Sequence, residues 1–461
     1  MCRIVHGITL FFVIFGELIS VFCVILCLQE AGIMNKDILR IAIPSIVANI
    51  TVPLLGLIDT GIAGHLGRTE YIGAMSVGAL MFNLVYWNFG FLRMGTSGIT
   101  AQFVGGGDIA GACRTLLRAS ALALVIATAI IALRYPLQWL AILAISPSAE
   151  VATLAKQYFF IGVWGAPAVL TMMAVKGWFL GLQDSRTPMI ISIAVNVINI
   201  VASFTAVYAF DAGFTGIAAG TIIAEYSGLL LSAFFVIRKH GRDLKTAGMS
   251  SSLKRSSLGK FFSVNRDIFL RSVCLMAVTL SFTAIGARSG DVTLAANALM
   301  IQLFILFSYF MDGFSFAGEA LVGKYYGARA YGELRKCVKT LFVWGVAVMA
   351  IFTIAYTFFA HSIFNLLTDD TAVIERAEEY RLWCMVIPAA GMAGFVWDGI
   401  FIGLTATRDM LLSIAASCLL FFAICFLPVG EICNHRLWAA FISYLAMRGV
   451  LQTLLYRRHH P

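Results

Sequence analysis

The ten residues GWFLGLQDSR (Gly177–Arg186) return in altered form as GIFIGLTATR (Gly399–Arg408). Gly177, Phe179, Gly181, Leu182 and Arg186 match Gly399, Phe401, Gly403, Leu404 and Arg408, an offset of 222 residues (399 minus 177). The same offset lays QFVGGG (Gln102–Gly107) over KYYGAR (Lys324–Arg329). Two separate stretches sharing one offset predict an internal duplication, each copy a little under half of the 461-residue chain.

Composition says what the copies are made of. The chain is 60% hydrophobic and only 12% charged, where a soluble globular chain carries about 25% charged residues. Apolar runs long enough to cross a bilayer recur along nearly its whole length. Short alternating segments, the mark of a β-barrel, are not the pattern here. The expected fold is therefore an all-α polytopic membrane protein. Its spans are predicted at 38–63, 71–103, 117–136, 156–182, 187–208 and 214–237 in the first copy. The second copy gives 267–288, 293–326, 337–363, 380–404, 409–429 and 435–456. Six spans per copy is an even number, so both copies stand the same way up. This predicts two six-helix lobes, 34–237 and 266–461, related by a pseudo-two-fold axis along the membrane normal, as in many transporters. A basic, Ser/Gly-rich linker at 238–265 joins them.

The net charge of +9 reads as basic loops that set orientation, not as a nucleic-acid surface. Arg238, Lys239, Arg242, Lys245, Lys254, Arg255 and Lys260 of the linker fall on one side if twelve spans alternate. So do Arg329, Arg335, Lys336, Lys339, Arg457 and Arg458, while the acidic loop LTDDTAVIERAEEY (Leu367–Tyr380) lies opposite. That places both ends of the twelve-span unit in the cytoplasm and the protein in an inner (plasma) membrane. Residues 1–33 add a further apolar run, ITLFFVIFGELISVFCVILCL (Ile8–Leu28). It fits a thirteenth helix at 4–27, a signal peptide, or an extension upstream of a true start at Met34, the reading we favour.

The ten cysteines are scattered, many within apolar runs and none at metal-ligand spacing, so they read as small apolar residues. No GxSxG, HExxH or P-loop occurs, so neither an enzyme nor a bound cofactor is expected.

Several stretches together resemble the multidrug and toxic compound extrusion (MATE) family, most closely its DinF-type branch. They are IAIPSIVANITVPLLGLIDTGIAGHLG (Ile41–Gly67), FLRMGTSGITAQFVGGGD (Phe91–Asp108), VINIVASF (Val197–Phe204), GFTGIAAGTIIAEY (Gly213–Tyr226) and MDGFSFAGEALVGKYYGAR (Met311–Arg329). The likeness runs from about Met34 to the C-terminus and implies a V-shaped cavity between two six-helix lobes. It also implies export driven by a cation gradient.

Polar residues inside the apolar runs are the candidate site. A charged side chain at the bilayer centre costs roughly 2.5–3.5 kcal/mol on insertion scales. Protonation removes most of that cost, so a sheltered acid can couple proton binding to a change of access. Asp59 is the first candidate, and the resemblance implies a coupling role for it. Its place 19 residues beyond Arg40, about 28 Å along a helix, also suits a simple cap at the end of the first span. Pro44 matches a helix-bending proline of the family; it and Pro53 could equally be structural. Asn196 and Asn199 are three apart and share a helix face.

The resemblance implies an aspartate four residues after Asn199, but Ser203 stands there, and it adds Thr221 on the next span. With one carboxylate missing, a bare sodium site is weakened, so the expected coupling ion is a proton, with sodium less favoured. Plain hydrogen bonding within the bundle is the alternative for these residues.

Arg93 is a cation within the second span, and Asp59 and Glu225 are its candidate partners. Asp312 and Glu319 on the eighth span lie seven apart, two turns, on one face, and Asp398 lies on the tenth. These acids could line the cavity and attract cationic substrates, or form interhelical pairs, for instance with Arg271. The expectation is a proton-coupled antiporter, acting as a monomer among membrane lipids, that exports organic or toxic small molecules. A sodium-coupled exporter is one alternative. The other is a lipid-linked saccharide flippase, which would need more deep cations to meet a pyrophosphate.

Overall fold

The computed structural model describes residues 32–66, 68–247, 255–427 and 433–459. All but the last two residues of the extra N-terminal segment 1–33 lie outside them. Among the described residues every regular element is helical, and twelve helices are long and apolar enough to cross a membrane. In the first lobe the spans are Ile33–Gly64, Glu70–Gly105, Ile109–Ala132, Ala149–Gly181, Arg186–Tyr208 and Gly213–Lys245. In the second they are Phe261–Ala287, Asp291–Gly327, Tyr331–Leu367, Arg381–Leu404, Thr407–Phe426 and Asn434–Tyr456.

Four local features depart from the sequence reading. The linker is largely helical: the sixth helix runs on to Ala247, past a non-helical residue at His240, and helix resumes at Arg255. Lysine and arginine are good helix formers, so loss of apolar periodicity does not by itself end a helix. A twelve-residue helix, Arg134–Ile145, lies between the third and fourth spans and is too short to cross. The acidic loop folds into Thr371–Glu379, capped by Asp370, whose carboxylate accepts from the Ala372 and Val373 amides at 3.0 and 3.3 Å. The second and fourth spans are each interrupted by a 3-10 turn, Trp87–Gly90 and Val163–Gly165.

The duplication is visible in how backbones touch. A Cβ on Gly177 would lie 2.2 Å from the Arg93 carbonyl oxygen, and one on Gly399 would lie 2.1 Å from that of Ser315. Positions 177 and 399, and 93 and 315, are both related by the 222-residue offset. Gly181 against Ser97 and Gly403 against Glu319 repeat the relationship one turn on. The second and eighth spans then meet each other. Gly105 abuts the Lys324 carbonyl (1.9 Å to a Cβ built on it) and Gly327 abuts that of Gln102 (2.0 Å), again an exchange under the same offset. Between them a Cβ on Gly323 would sit 2.6 Å from the Cβ of Ala101, its own counterpart. The pseudo-two-fold axis therefore passes between Ala101 and Gly323. Small residues at these crossings let helices approach closely, which is how bundles pack in lipid. Gln102 fastens the contact, its Nε2 donating to the Gly403 carbonyl at 2.8 Å and to Thr405 Oγ1 at 3.2 Å.

Candidate functional site

In the first lobe, Asp59 sits five residues from the end of the first span at Gly64. Only 5% of it is exposed, and its Oδ1 has no hydrogen-bond partner. The apolar side chains Ile62, Ala63, Ala74, Met75, Val207 and Phe214 pack together beside it with Tyr158. Tyr158, of the fourth span, lies within Coulombic reach of Asp59 and close to Thr221. Thr221 Oγ1 accepts from Asn199 Nδ2 at 3.1 Å and donates to the Ile217 carbonyl at 3.0 Å. Ser203 Oγ approaches Asn199 Oδ1 at 3.4 Å. Asn199, Ser203 and Thr221 thus form one cluster, and Tyr158, which the sequence reading missed, lies near both the cluster and Asp59. Asn196 stands apart: its Nδ2 donates to the Thr51 carbonyl of the first span at 3.2 Å.

Pro44 lies within the first span without ending it. A proline cannot donate to the carbonyl four residues earlier, here that of Arg40. Ser185 Oγ, in the turn between the fourth and fifth spans, donates to that carbonyl at 3.0 Å. The chain thus supplies a partner for the oxygen the proline frees.

Arg93 pairs with neither Asp59 nor Glu225. Its Nη1 and Nη2 lie 3.1 and 3.3 Å from Oε2 and Oε1 of Glu319 in the other lobe, a bidentate pair. The guanidinium also lies 4.0 Å from the centre of the Phe316 ring. The reason is the axis: Arg93 and Glu319 stand on the second and eighth spans, which cross there, whereas Glu225 faces its own lobe. One Glu225 oxygen, Oε2, is buried without a partner. That oxygen fits against Gly165, where a Cβ would lie 1.7 Å away.

In the second lobe both oxygens of Asp398 are hydrogen-bonded. Arg271 of the seventh span and Arg448 of the twelfth both donate to its Oδ2, and Gln452 Nε2 donates to Oδ1 at 2.8 Å. Asp398, Arg271 and Arg448 are 3%, 6% and 3% exposed. Asp312 lies within Coulombic reach of Arg93, Arg271, Asp398 and Glu319. Two of the three acids read from the sequence as cavity-lining charges are therefore neutralised by arginines, and only Asp312 is left without such a pair. Arg448 and Gln452 went unnoticed in the sequence; an arginine amid the apolar run YLAMRGV was the available signal.

Two six-helix lobes about a shared axis, with ionisable groups along their inner helices, define a polytopic membrane transporter. The MatE family profile matches residues 44–205 and 268–427, most of both lobes, and the chain belongs to that family, whose members are transporters, not enzymes. It is similar to the DNA damage-inducible protein F of Escherichia coli strain K12, 35% identical over 450 residues, 95% of this chain and 96% of that one. It is more distantly similar to a probable multidrug resistance protein NorM of Photorhabdus laumondii, 22% identical over 350 residues, with 74% and 75% covered. The fold matches a crystal structure of a MATE protein in the bent conformation, with TM-score 0.82 and 16% identity over 93% of this chain and 96% of that one.

Proposed function

We propose that this protein is a proton-coupled antiporter that exports organic or toxic small molecules by alternating access of its two lobes. The observation that carries this reading is Asp59, a carboxyl group sheltered in the first lobe with an oxygen that nothing bonds. An acid without a compensating charge is cheapest to bury with its proton on and must find water to lose it. Proton occupancy then differs between states that shelter Asp59 and states that wet it, and such a difference is what drives a conformational equilibrium. Two relationships support export of drug-like cargo: membership of the MatE family and likeness to a relative named for multidrug resistance.

Protons are favoured over sodium by the donor set. The Asn199, Ser203 and Thr221 side chains are engaged with one another, and Ser203 stands where a second carboxylate would be needed to hold a bare cation among them. Export is favoured over saccharide flipping because Arg93, Arg271 and Arg448 each lie against a carboxylate. They are not left open to a pyrophosphate.

The experiment is reconstitution of the purified full chain in liposomes with ethidium as cargo, under an imposed proton gradient or an equal sodium gradient. Movement driven by protons and indifferent to sodium supports the reading. Movement driven by sodium alone, or by neither, overturns it.

A further inference from the structure

Glu225 has no role in the account above, yet it is built into the same lobe as Asp59. It lies one helical turn beyond Thr221 on the sixth span, so the two share a face. Counted from the end of the lobe marked by Gly64 and Gly213, Asp59 is five residues in and Glu225 twelve. Those are depths of about 8 and 18 Å along their helices. The fourth span breaks into its 3-10 turn at Val163–Gly165 where Glu225 meets it. No side chain other than hydrogen fits at Gly165, because a Cβ would overlap Oε2. The Glu225 carboxyl packs against this turn at the glycine, and its buried oxygen there is unbonded.

The titratable groups around this carboxyl are tyrosines. Tyr86 of the second span lies within Coulombic reach of Glu225 and of Tyr226, and its hydroxyl is buried without a partner. Tyr226 itself turns away, donating to the Trp164 carbonyl at 2.9 Å. Tyr158 lies within Coulombic reach of both Glu225 and Asp59.

We propose that Glu225 is a second proton-binding carboxyl of this lobe, lying deeper than Asp59. This rests on the reading of Asp59 as a proton site. Each carboxyl gains or loses one proton as an ion, and no bond other than O–H changes.

The test is infrared difference spectroscopy of the purified full-length protein between acidic and alkaline pH, which counts protonating carboxyls without any cargo. Glu225→Gln is expected to remove one carboxylic-acid band, distinct from the band that Asp59→Asn removes. Glu225→Asp should keep the former band at a displaced frequency, which serves if Glu225→Gln fails to fold. An unchanged spectrum in Glu225→Gln, with the Asp59 band intact, overturns this proposal alone and leaves Glu225 as packing for the helix break. An unchanged spectrum in Asp59→Asn overturns the underlying reading as well.

Discussion

Arg93 and Glu319 face each other across the lobe boundary, joined by two parallel hydrogen bonds of 3.1 and 3.3 Å. The Glu319 side chain is wholly buried and that of Arg93 is 19% exposed. Breaking a buried pair by removing one partner typically costs about 3–5 kcal/mol, because the other charge is left uncompensated. Glu319→Gln should be the costlier single change, since an arginine cannot shed its charge. The double variant Arg93→Gln/Glu319→Gln should recover part of the loss, with about 0.5–3 kcal/mol of coupling. Thermal unfolding of the four proteins in detergent measures this.

Asp398 and Asp59 should respond oppositely to neutralisation. Asp398→Asn leaves Arg271 and Arg448 buried without their shared anion, a loss of about 3–5 kcal/mol. Asp59→Asn breaks no hydrogen bond at Oδ1, so its melting temperature should stay near that of the unmodified protein. A stability profile with the two reversed would contradict the assignment of Asp398 to structure and Asp59 to coupling.

The axis crossing should tolerate no added methyl. Gly105→Ala would place a carbon 1.9 Å from the Lys324 carbonyl oxygen, and Gly327→Ala one 2.0 Å from that of Gln102. Overpacking costs about 1–3 kcal/mol or more when backbone must move. Either variant should also lower disulfide formation between cysteines placed on the second and eighth spans at this level.

Outside the membrane, Asp184 gives a pH signature. Burial pushes its carboxyl up, but hydrogen bonds from Lys239 Nζ at 2.7 Å and from the Thr187 hydroxyl and amide at 2.6 and 3.1 Å prevail and hold it below the ordinary 3.8. A depressed carboxylate contributes stability above its ordinary value and loses it as the pH falls through the native one. Asp184→Asn should therefore melt lower than the unmodified protein at neutral pH. The gap should close on acidification below 3.8.

Much of this architecture can be read from the residues alone. Hydropathy places twelve spans to within a few residues at most ends, because lipid demands long apolar helices. The 222-residue echo between Gly177 and Gly399 foretells the crossings, because only glycine permits those backbone approaches. Charge partners were less legible. Arg93 and Glu319 are 226 residues apart, and nothing local says which face of each helix meets the axis. Gly165 matters only through the 3-10 break in the fourth span, which apolar composition conceals. The repeat also hides a difference: the counterpart of Asp398 under the offset is Lys176, so the lobes share backbone geometry but not charge.

On this reading Asp59 carries the proton that drives export. Its most direct test is proton movement itself, followed with a pH-sensitive dye trapped in liposomes containing the full chain as ethidium is driven across. The unmodified protein should move protons against cargo, and Asp59→Asn, equally folded and inserted, should move neither under the same gradient. Proton movement coupled to ethidium in Asp59→Asn at the unmodified rate would contradict the account.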